Sequence, residues 1–256
     1  MAQETAQVLR DKVAIVTGGG QGVGRGIALA FAAEGAAVAV VGRTVSKCAF
    51  VVQEIDERGG RSIALECDVK NAVAVQEAVR CTVDAFGTVD ILVNNAQQVP
   101  LGSILEVTDE EANNGWMSGP MATLRFMREC HPHLRGGGVV INLGSRAGVK
   151  PDPVNSGVYA GVKEAIRAMT RAAAWEWAAD DIRTYTLLPL ATSPALIDYE
   201  QNDPDAYERV LSAIPMRRFG EPETDIGRVA VFLAGPDAAY LTGITIPVDG
   251  GAAHIG

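Results

Sequence analysis

The stretch TGGGQGVG, residues 17 to 24, constrains the fold of this chain more than any other. It follows an apolar run, Val13 to Val16, and precedes apolar residues at helical spacing, namely Val23, Ile27, Ala30 and Phe31. The pattern predicts a strand, a glycine turn and a helix. Because free N–H groups at a helix N-terminus attract anions, we expect a pyrophosphate to lie on this turn. Gly18 then allows the tight turn, Gly22 the close approach of the phosphate, and Gly24 the close packing of the helix.

Short apolar runs alternate with helical stripes along the rest of the chain. Further strands are predicted at residues 36–41, 62–67, 89–93, 139–143, 182–188 and 248–251, and helices at 48–55, 71–86, 109–134 and 157–179, with a last helix near 223–233. Such alternation predicts an α/β fold in which helices cover both faces of a parallel sheet, that is, a doubly wound, Rossmann-type domain.

The composition limits the class of protein. With 256 residues, 48% of them hydrophobic, we expect one domain over residues 1–256, with residues 1–10 as a flexible N-terminus. A net charge of −9 argues against a nucleic-acid partner. The four cysteines form no CxxC pair, so neither a disulfide framework nor a metal site is expected. The chain shows neither a signal peptide nor an apolar run approaching the ~20 residues of a membrane span, which predicts a cytoplasmic protein without membrane contact.

Several motifs together resemble the classical short-chain dehydrogenase/reductase family, in particular members similar to 3-oxoacyl carrier protein reductases. These motifs are the TGxxxGxG turn, the sequence Asn94-Asn95-Ala96, a serine at a strand end (Ser145), and a YxxxK pair, Tyr159 and Lys163. The resemblance spans Asp11 to Gly251. It implies a seven-stranded parallel sheet of order 3-2-1-4-5-6-7, a nicotinamide-dependent oxidoreductase, and a homo-oligomer, either a tetramer or a dimer.

Tyr159 and Lys163 lie four residues apart, so they share one face of a helix. By itself this is a common surface pattern, and only the accompanying motifs favour catalysis. A nearby ammonium favours the phenolate form of a tyrosine, which makes proton exchange with a carbonyl or alcohol oxygen feasible. The resemblance implies that Ser145 donates a hydrogen bond to the substrate oxygen, Tyr159 exchanges the proton, and Lys163 holds the nicotinamide ribose.

The end of the second strand bears on the choice of cofactor. An NAD site places an acid there, whereas an NADP site places an arginine near the 2′-phosphate. Gly42 stands in the place of the acid and Arg43 follows it, which favours NADP(H) over NAD(H); a surface arginine at a strand end is the alternative. The expected cofactor contacts, most of them implied by the resemblance, are Gly18, Gln21, Gly22, Val23, Gly24, Arg43, Thr44, Asp68, Val69, Asn95, Ala96, Tyr159, Lys163, Pro189 and Thr192, with Ser193 as an alternative to Thr192.

Three positions depart from the pattern of the family. Gln97 and Leu190 stand where glycine is expected, and counting back from Gly119 puts Trp116 in the place of a catalytic asparagine. Trp116 is then either a core residue or a wall of the substrate pocket. The departures leave two interpretations open: an NADP(H)-dependent oxidoreductase, or an NADP(H)-binding sensor or scaffold on the same fold.

Residues 190–215 are expected to form the substrate loop. This segment is rich in acidic residues, which does not favour a polyanionic carrier as substrate. The oxidoreductase is therefore expected to interconvert a carbonyl and a secondary alcohol on a small to medium, largely apolar molecule.

Overall fold

A computed structural model describes residues 7–150 and 157–253. Its centre is one sheet of seven parallel strands in the order β3-β2-β1-β4-β5-β6-β7, as predicted. Each strand is a short apolar segment, and β1, β4 and β5 are buried along their whole length. The strands are β1 (Val13–Thr17), β2 (Ala37–Gly42), β3 (Arg61–Glu66), β4 (Ile91–Asn94), β5 (Val139–Leu143), β6 (Arg183–Pro189) and β7 (Thr245–Val248).

Ten α-helices are described. They are α1 (Gly22–Ala33), α2 (Val45–Glu57), α3 (Ala72–Phe86), α4 (Asp109–Ser118), α5 (Pro120–Leu134), α6 (Arg146–Val149), α7 (Gly157–Glu176), α8 (Pro194–Asn202), α9 (Pro204–Ser212) and α10 (Arg228–Ala234). A π-helical turn, Pro222–Gly227, leads into α10. None of the helices in these ranges is long and apolar enough to cross a membrane.

Alternate residues of each strand point to opposite faces of the sheet, and this builds two cores. Ala14 and Val16 pack with α1, α2 and α10 on one face. Ile15 points the other way and packs with α3, α5 and α7. Because both faces are covered, the central strands β1, β2, β4 and β5 are mostly apolar and do not alternate with polar residues.

The segment 109–134, expected as one long helix, is two helices. The helix α4 ends at Ser118, Gly119 adopts φ −98° and ψ −96°, and Pro120 opens α5. Proline has no N–H to continue the ladder of α4 and restricts the residue before it, so the helix breaks here. The break lies beside the cavity described below.

Both the N-terminal residues and the expected substrate loop pack on the domain. Residues 1–6 lie outside the described residues, whereas Leu9 is buried and its N–H donates to the Glu34 carbonyl oxygen at 2.9 Å. Residues 7–10 thus contact the C-terminal end of α1, and the flexibility expected for residues 1–10 stays a prediction. The segment 190–215, expected as the substrate loop, carries the two short helices α8 and α9.

A buried chain of neutral hydrogen bonds links the sheet to α7. Asn94 Nδ2 donates to Asn142 Oδ1 at 2.8 Å, which ties β4 to β5. Asn142 Nδ2 in turn donates to Thr170 Oγ1 at 2.9 Å, and Thr184 Oγ1 of β6 donates to the Thr170 carbonyl oxygen at 2.8 Å. The helix that carries Tyr159 and Lys163 is therefore fixed to three adjacent strands.

Candidate active site

The glycine turn between β1 and α1 has the conformation that its sequence requires. Gly18 and Gly22 have φ values of +63° and +54°, which favour glycine. A Cβ on Gly24 would collide with the Gly18 carbonyl oxygen and lie 2.5 Å from Asn95 Nδ2, so α1 packs against the turn without room for a side chain. Gly22 is open, since a Cβ there would meet nothing closer than Ser193 Cβ at 3.8 Å. The N-terminus of α1 is accordingly exposed to a ligand.

The ends of β1 and β4 meet beside this turn, where helices leave the sheet towards opposite faces. Thr17 Oγ1 accepts hydrogen bonds from the N–H groups of Asn95 and Ala96 at 2.9 and 3.1 Å. Asn95 Nδ2 donates to the carbonyl oxygens of Thr17 and Gly18 at 3.0 and 3.1 Å. In doubly wound sheets, ligands bind at such a switch point.

A cavity of about 500 Å³ opens at this edge of the sheet. It extends from the end of β2 to Tyr159 and is both long and open enough for a dinucleotide. The expected cofactor contacts that line it are Gly18, Gln21, Gly22, Val23, Arg43, Thr44, Asp68, Val69, Asn95, Ala96 and Tyr159. A cationic wall at the β2 end, with the open glycine backbone beside it, fits a nicotinamide dinucleotide.

Four expected contacts are not in the lining. Gly24 packs beneath the turn, and Lys163 is buried behind Tyr159. Pro189 ends β6, paired with Val248, and Thr192 faces a separate cavity near Arg217. Ser193, the alternative to Thr192, does line the cavity.

The β2 end of the cavity carries two cations. Arg43 and Thr44 lead into α2, and Lys47 in the first turn of α2 lines the same wall. Lys47 Nζ donates to Gln21 Oε1 at 2.6 Å, which holds the lysine against the glycine turn. The sequence reasoning missed Lys47, although its place four residues after Arg43, at the start of a helix, was readable.

Gly42 has little room for a side chain. A Cβ there would lie 2.9 Å from the Sγ of Cys48, a buried thiol. A side chain at this position, such as the acid of an NAD site, requires the Cys48 side chain to shift.

The groups expected to be catalytic lie together at the other end of the cavity. Ser145 follows β5, and its Oγ accepts a hydrogen bond from the Ala147 N–H at 3.1 Å. Tyr159 on α7 shares a side-chain hydrogen bond with Ser145. Lys163 Nζ lies 5.7 Å from the centre of the Tyr159 ring and donates to the Leu143 carbonyl oxygen at 2.7 Å. The structure therefore brings Ser145, Tyr159 and Lys163 into one cluster.

Burial dominates the protonation of this cluster. It raises the pKa of Tyr159, and the hydrogen bond from Ser145 offsets this only in part. Burial also lowers the pKa of Lys163 from 10.5 to about 7. The expectation that the lysine ammonium lowers the pKa of Tyr159 is thus wrong for this arrangement, because desolvation disfavours both charged forms.

Trp116 does not occupy the place that counting along the sequence gave it. Its side chain is 46% exposed and lies in a groove with Asn113, Val158 and Val162, away from the lining of the cavity. The residue of α4 that lines the cavity is Ser118, at the helix break. Counting back from Gly119 gives a position in the motif, but Trp116 and Ser118 both lie in α4, and the fold directs Ser118 and not Trp116 to the cavity.

The other two departures fit the fold locally. Leu190 packs with Ile214 and Phe219, and its carbonyl oxygen accepts from the Gly220 N–H at 3.0 Å. Gln97 occupies space that Gly119 leaves empty, since a Cβ on Gly119 would collide with Gln97 Oε1. Within the described ranges, no group of three or more His, Cys, Asp or Glu side chains is arranged to hold a metal ion.

Comparison with known proteins agrees with this geometry. Residues 18–253 match the family model described as enoyl-(acyl carrier protein) reductase. The chain is 41% identical over 249 residues to the 12alpha-hydroxysteroid dehydrogenase of Clostridium sp. (strain ATCC 29733 / VPI C48-50), covering 94% of this chain and 96% of the relative. It is 33% identical over 247 residues to a 3-oxoacyl-[acyl-carrier-protein] reductase of Staphylococcus epidermidis (strain ATCC 35984 / DSM 28319 / BCRC 17069 / CCUG 31568 / BM 3577 / RP62A), covering 94% and 98%.

A solved structure shows the same fold with a cofactor. The short-chain dehydrogenase of Burkholderia cenocepacia J2315, in complex with NADP, superposes with a TM-score of 0.89 at 29% identity, covering 96% of this chain and 99% of that one. The family model and the relatives extend over nearly the whole chain, glycine turn and Tyr159–Lys163 pair included. The chain therefore belongs to the short-chain dehydrogenase/reductase family and is an oxidoreductase that uses a nicotinamide dinucleotide.

Proposed function

We propose that this protein is an NADP(H)-dependent oxidoreductase that interconverts a ketone and a secondary alcohol on a largely apolar, ring-containing molecule, with a hydroxysteroid as the leading candidate. The observation that carries the proposal is the cluster of Ser145, Tyr159 and Lys163 at the end of a dinucleotide-sized cavity. The departures at Trp116 and Leu190 lie outside this cluster, so no observation favours the sensor interpretation.

The cluster supplies the groups for proton transfer. In the reducing direction, Ser145 donates a hydrogen bond to the carbonyl oxygen, and the Tyr159 hydroxyl gives that oxygen its proton. When bound, the dihydronicotinamide supplies hydride to the carbonyl carbon. Lys163, next to Tyr159 on the same face of α7, is the residue that would hold the nicotinamide ribose, and the Ser145 hydroxyl is the group that favours the phenolate left on Tyr159. With its pKa lowered to about 7, Lys163 is also matched to passing a proton at neutral pH.

The β2 end of the cavity supports NADP(H) over NAD(H). Arg43 and Lys47 present two cations where a 2′-phosphate would lie, in a chain of net charge −9. The N-terminus of α2 adds free N–H groups at the same place. The short approach of Cys48 Sγ to Gly42 removes the position from which an acid would hold a free 2′-hydroxyl.

The rim of the site supports an apolar substrate. The loop after β4 contributes Val99 to the lining of the cavity, and further along it exposes Leu101, Ile104 and Leu105 by 68%, 74% and 97%. A contiguous apolar surface on this loop would suit an apolar substrate. The helices α8 and α9 are rich in acidic residues, which disfavours an anionic carrier. The similarity to a 12alpha-hydroxysteroid dehydrogenase supports a ring alcohol of steroid size.

The test is NADPH oxidation against three sets of ketones: oxosteroids, small cyclic or linear ketones, and 3-oxoacyl thioesters. We expect turnover with oxosteroids, and a loss of about 10²- to 10⁴-fold in Tyr159→Phe with NADPH binding retained. Turnover that survives in Tyr159→Phe would contradict the mechanism. Binding of NADPH without turnover of any ketone would favour a sensor, and a preference for thioesters would contradict the substrate class.

The choice of cofactor has its own test. Arg43→Ala should weaken NADPH binding about tenfold or more, because a charge-assisted hydrogen bond to phosphate is lost, and leave NADH binding nearly unchanged. Arg61→Ala is the matched control. Arg61 is exposed at the start of β3, whereas the cavity lies where the strands end. Fluorescence titration with both cofactors measures the two dissociation constants. Equal losses for NADPH and NADH would argue against the role of Arg43. The homo-oligomer, a tetramer or dimer, stays a prediction.

A further inference from the structure

Gln97, near the start of the loop that follows β4, uses its side chain to hold its neighbour. Its Nε2 donates to the carbonyl oxygens of Gly115 and Gln98 at 2.9 and 2.7 Å, with a longer contact of 3.4 Å to Ser118 Oγ. Carbonyl oxygens only accept, so these two bonds fix the orientation of the carboxamide. Gly119, at the break between α4 and α5, leaves the space that the side chain fills. Gln97 and Gly119 therefore fit together as a pair, and the pair joins the loop to the helix break.

A second side chain holds the other side of Gln98. The Gln98 N–H donates to Ser118 Oγ at 2.9 Å, and the Ser118 hydroxyl donates to the Asn114 carbonyl oxygen at 2.7 Å. Both backbone groups of Gln98 are thus bound by side chains, Gln97 on its carbonyl oxygen and Ser118 on its N–H. A polar residue whose backbone is held so firmly in a cavity wall has the rigid support that a binding residue requires.

The side chain of Gln98 itself has unused hydrogen-bonding capacity. Gln98 lines the cavity that contains Tyr159, and its Oε1 is buried without a hydrogen-bond donor among the described residues. No acceptor for its Nε2 is found there either, so rotation about the last side-chain bond can present the oxygen or the nitrogen. A buried acceptor without a partner costs free energy, and a donor on a ligand would recover it.

We propose that Gln98 binds substrate, accepting a hydrogen bond from a second hydroxyl group, so that the enzyme prefers diols to alcohols with a single hydroxyl. The inference rests on the proposed function for the identity of the substrate. The reacting hydroxyl goes to Ser145 and Tyr159, and the second hydroxyl goes to the Gln98 carboxamide. An otherwise apolar ring system that carries two hydroxyls satisfies both ends.

The experiment measures binding in a complex that cannot react. Wild-type protein is saturated with NADPH and titrated calorimetrically with three cholanoates: a 12α-monohydroxy compound and its 3α,12α- and 7α,12α-dihydroxy counterparts. We expect at least one diol to bind about tenfold more tightly than the monohydroxy compound. The variant Gln98→Met keeps the length of the side chain but not its carboxamide. In this variant the dissociation constants of the diol and the monohydroxy compound should differ by less than about twofold. The dissociation constants of the monohydroxy compound and of NADPH should stay unchanged.

Three results would overturn the proposal: no diol advantage in the wild type, an advantage that survives in Gln98→Met, or a weaker NADPH complex without change in the diol advantage. The last result would mean that the partner of the Gln98 carboxamide is a hydroxyl group of the cofactor ribose and not one of the substrate. If Gln98→Met does not fold, Gln98→Asn replaces it, because the shorter side chain withdraws the carboxamide and should lose the same advantage. The binding assay does not depend on turnover, so the two proposals can fail separately. Tighter binding of a diol without reduction of any oxosteroid would refute the proposed function alone. Reduction of an oxosteroid without tighter binding of a diol would refute only the role of Gln98.

Discussion

Lys163 is an unusual lysine because its ammonium is buried, with 4% of the residue exposed. Burial lowers its pKa from 10.5 to about 7, which at about 1.4 kcal/mol for each pKa unit corresponds to about 5 kcal/mol of destabilisation in acid. The folded protein binds fewer protons than the unfolded chain between these two pKa values. The penalty is therefore complete below pH 7, shrinks as the pH rises, and vanishes above pH 10.5.

Replacing Lys163 by methionine removes the buried charge and leaves the Leu143 carbonyl oxygen without its donor, at a cost of about 1–3 kcal/mol that does not depend on pH. At pH 6.5 the removed penalty is larger than this cost, so Lys163→Met should be more stable than wild type by about 2–4 kcal/mol. At pH 9.5 only about 1.4 kcal/mol of penalty remains, and the variant should be equal or less stable. The difference between the two pH values is about 3 kcal/mol.

Urea unfolding at a fixed protein concentration, at pH 6.5 and 9.5, measures both free energies of unfolding. Lys150→Met is the control, because Lys150 is exposed and its loss removes the same charge without burial. The control should change little at either pH. A Lys163→Met variant that is less stable at pH 6.5, or whose effect is the same at both pH values, would refute the reasoning. The variant should also lose turnover, so that stability and activity change in opposite directions.

Three further changes test other parts of the site. Gly24→Ala should lower the free energy of unfolding by about 1–3 kcal/mol, because the new Cβ collides with the Gly18 carbonyl oxygen. An unchanged free energy of unfolding in urea would show that the backbone of the turn can move to make room for it. Trp116→Asn should leave kcat within about twofold of the wild-type value, since Trp116 lies outside the cavity. A larger change in the steady-state rate would show that Trp116 contributes to the active site. Gly42→Asp combined with Cys48→Ala should move the ratio of NADPH to NADH dissociation constants towards NADH, and an unchanged ratio would exclude Gly42 from the choice of cofactor.

The strands, the helices and the two helix-covered faces were predictable, because glycine turns and apolar runs are local signals that each strand and helix carries by itself. The order of the strands followed from the resemblance to the family. The sequence also predicted which residues, Ser145, Tyr159 and Lys163, come together at one end of the cavity. The direction of the Tyr159 pKa was not predictable. It depends on how deeply the finished fold buries the phenol, and residue spacing contains no measure of burial.

The register of α4 shows a different limit. The spacing of a motif does not give the direction in which a side chain of α4 points, and this put Trp116 in the site instead of Ser118. Gln98 was missed for another reason. It matters through Ser118, a partner distant in sequence, so its role appears only once the chain is folded. Lys47, in contrast, was readable from its place four residues after Arg43.

The hydrogen-bonded chain from Asn94 through Asn142 to Thr170 contains no ionisable group. The hydrogen bonds of this chain therefore do not change with pH. Lys163, which also ties α7 to β5 through the Leu143 carbonyl oxygen, does titrate. Part of what holds α7 on the sheet is thus independent of the protonation of the site that α7 carries.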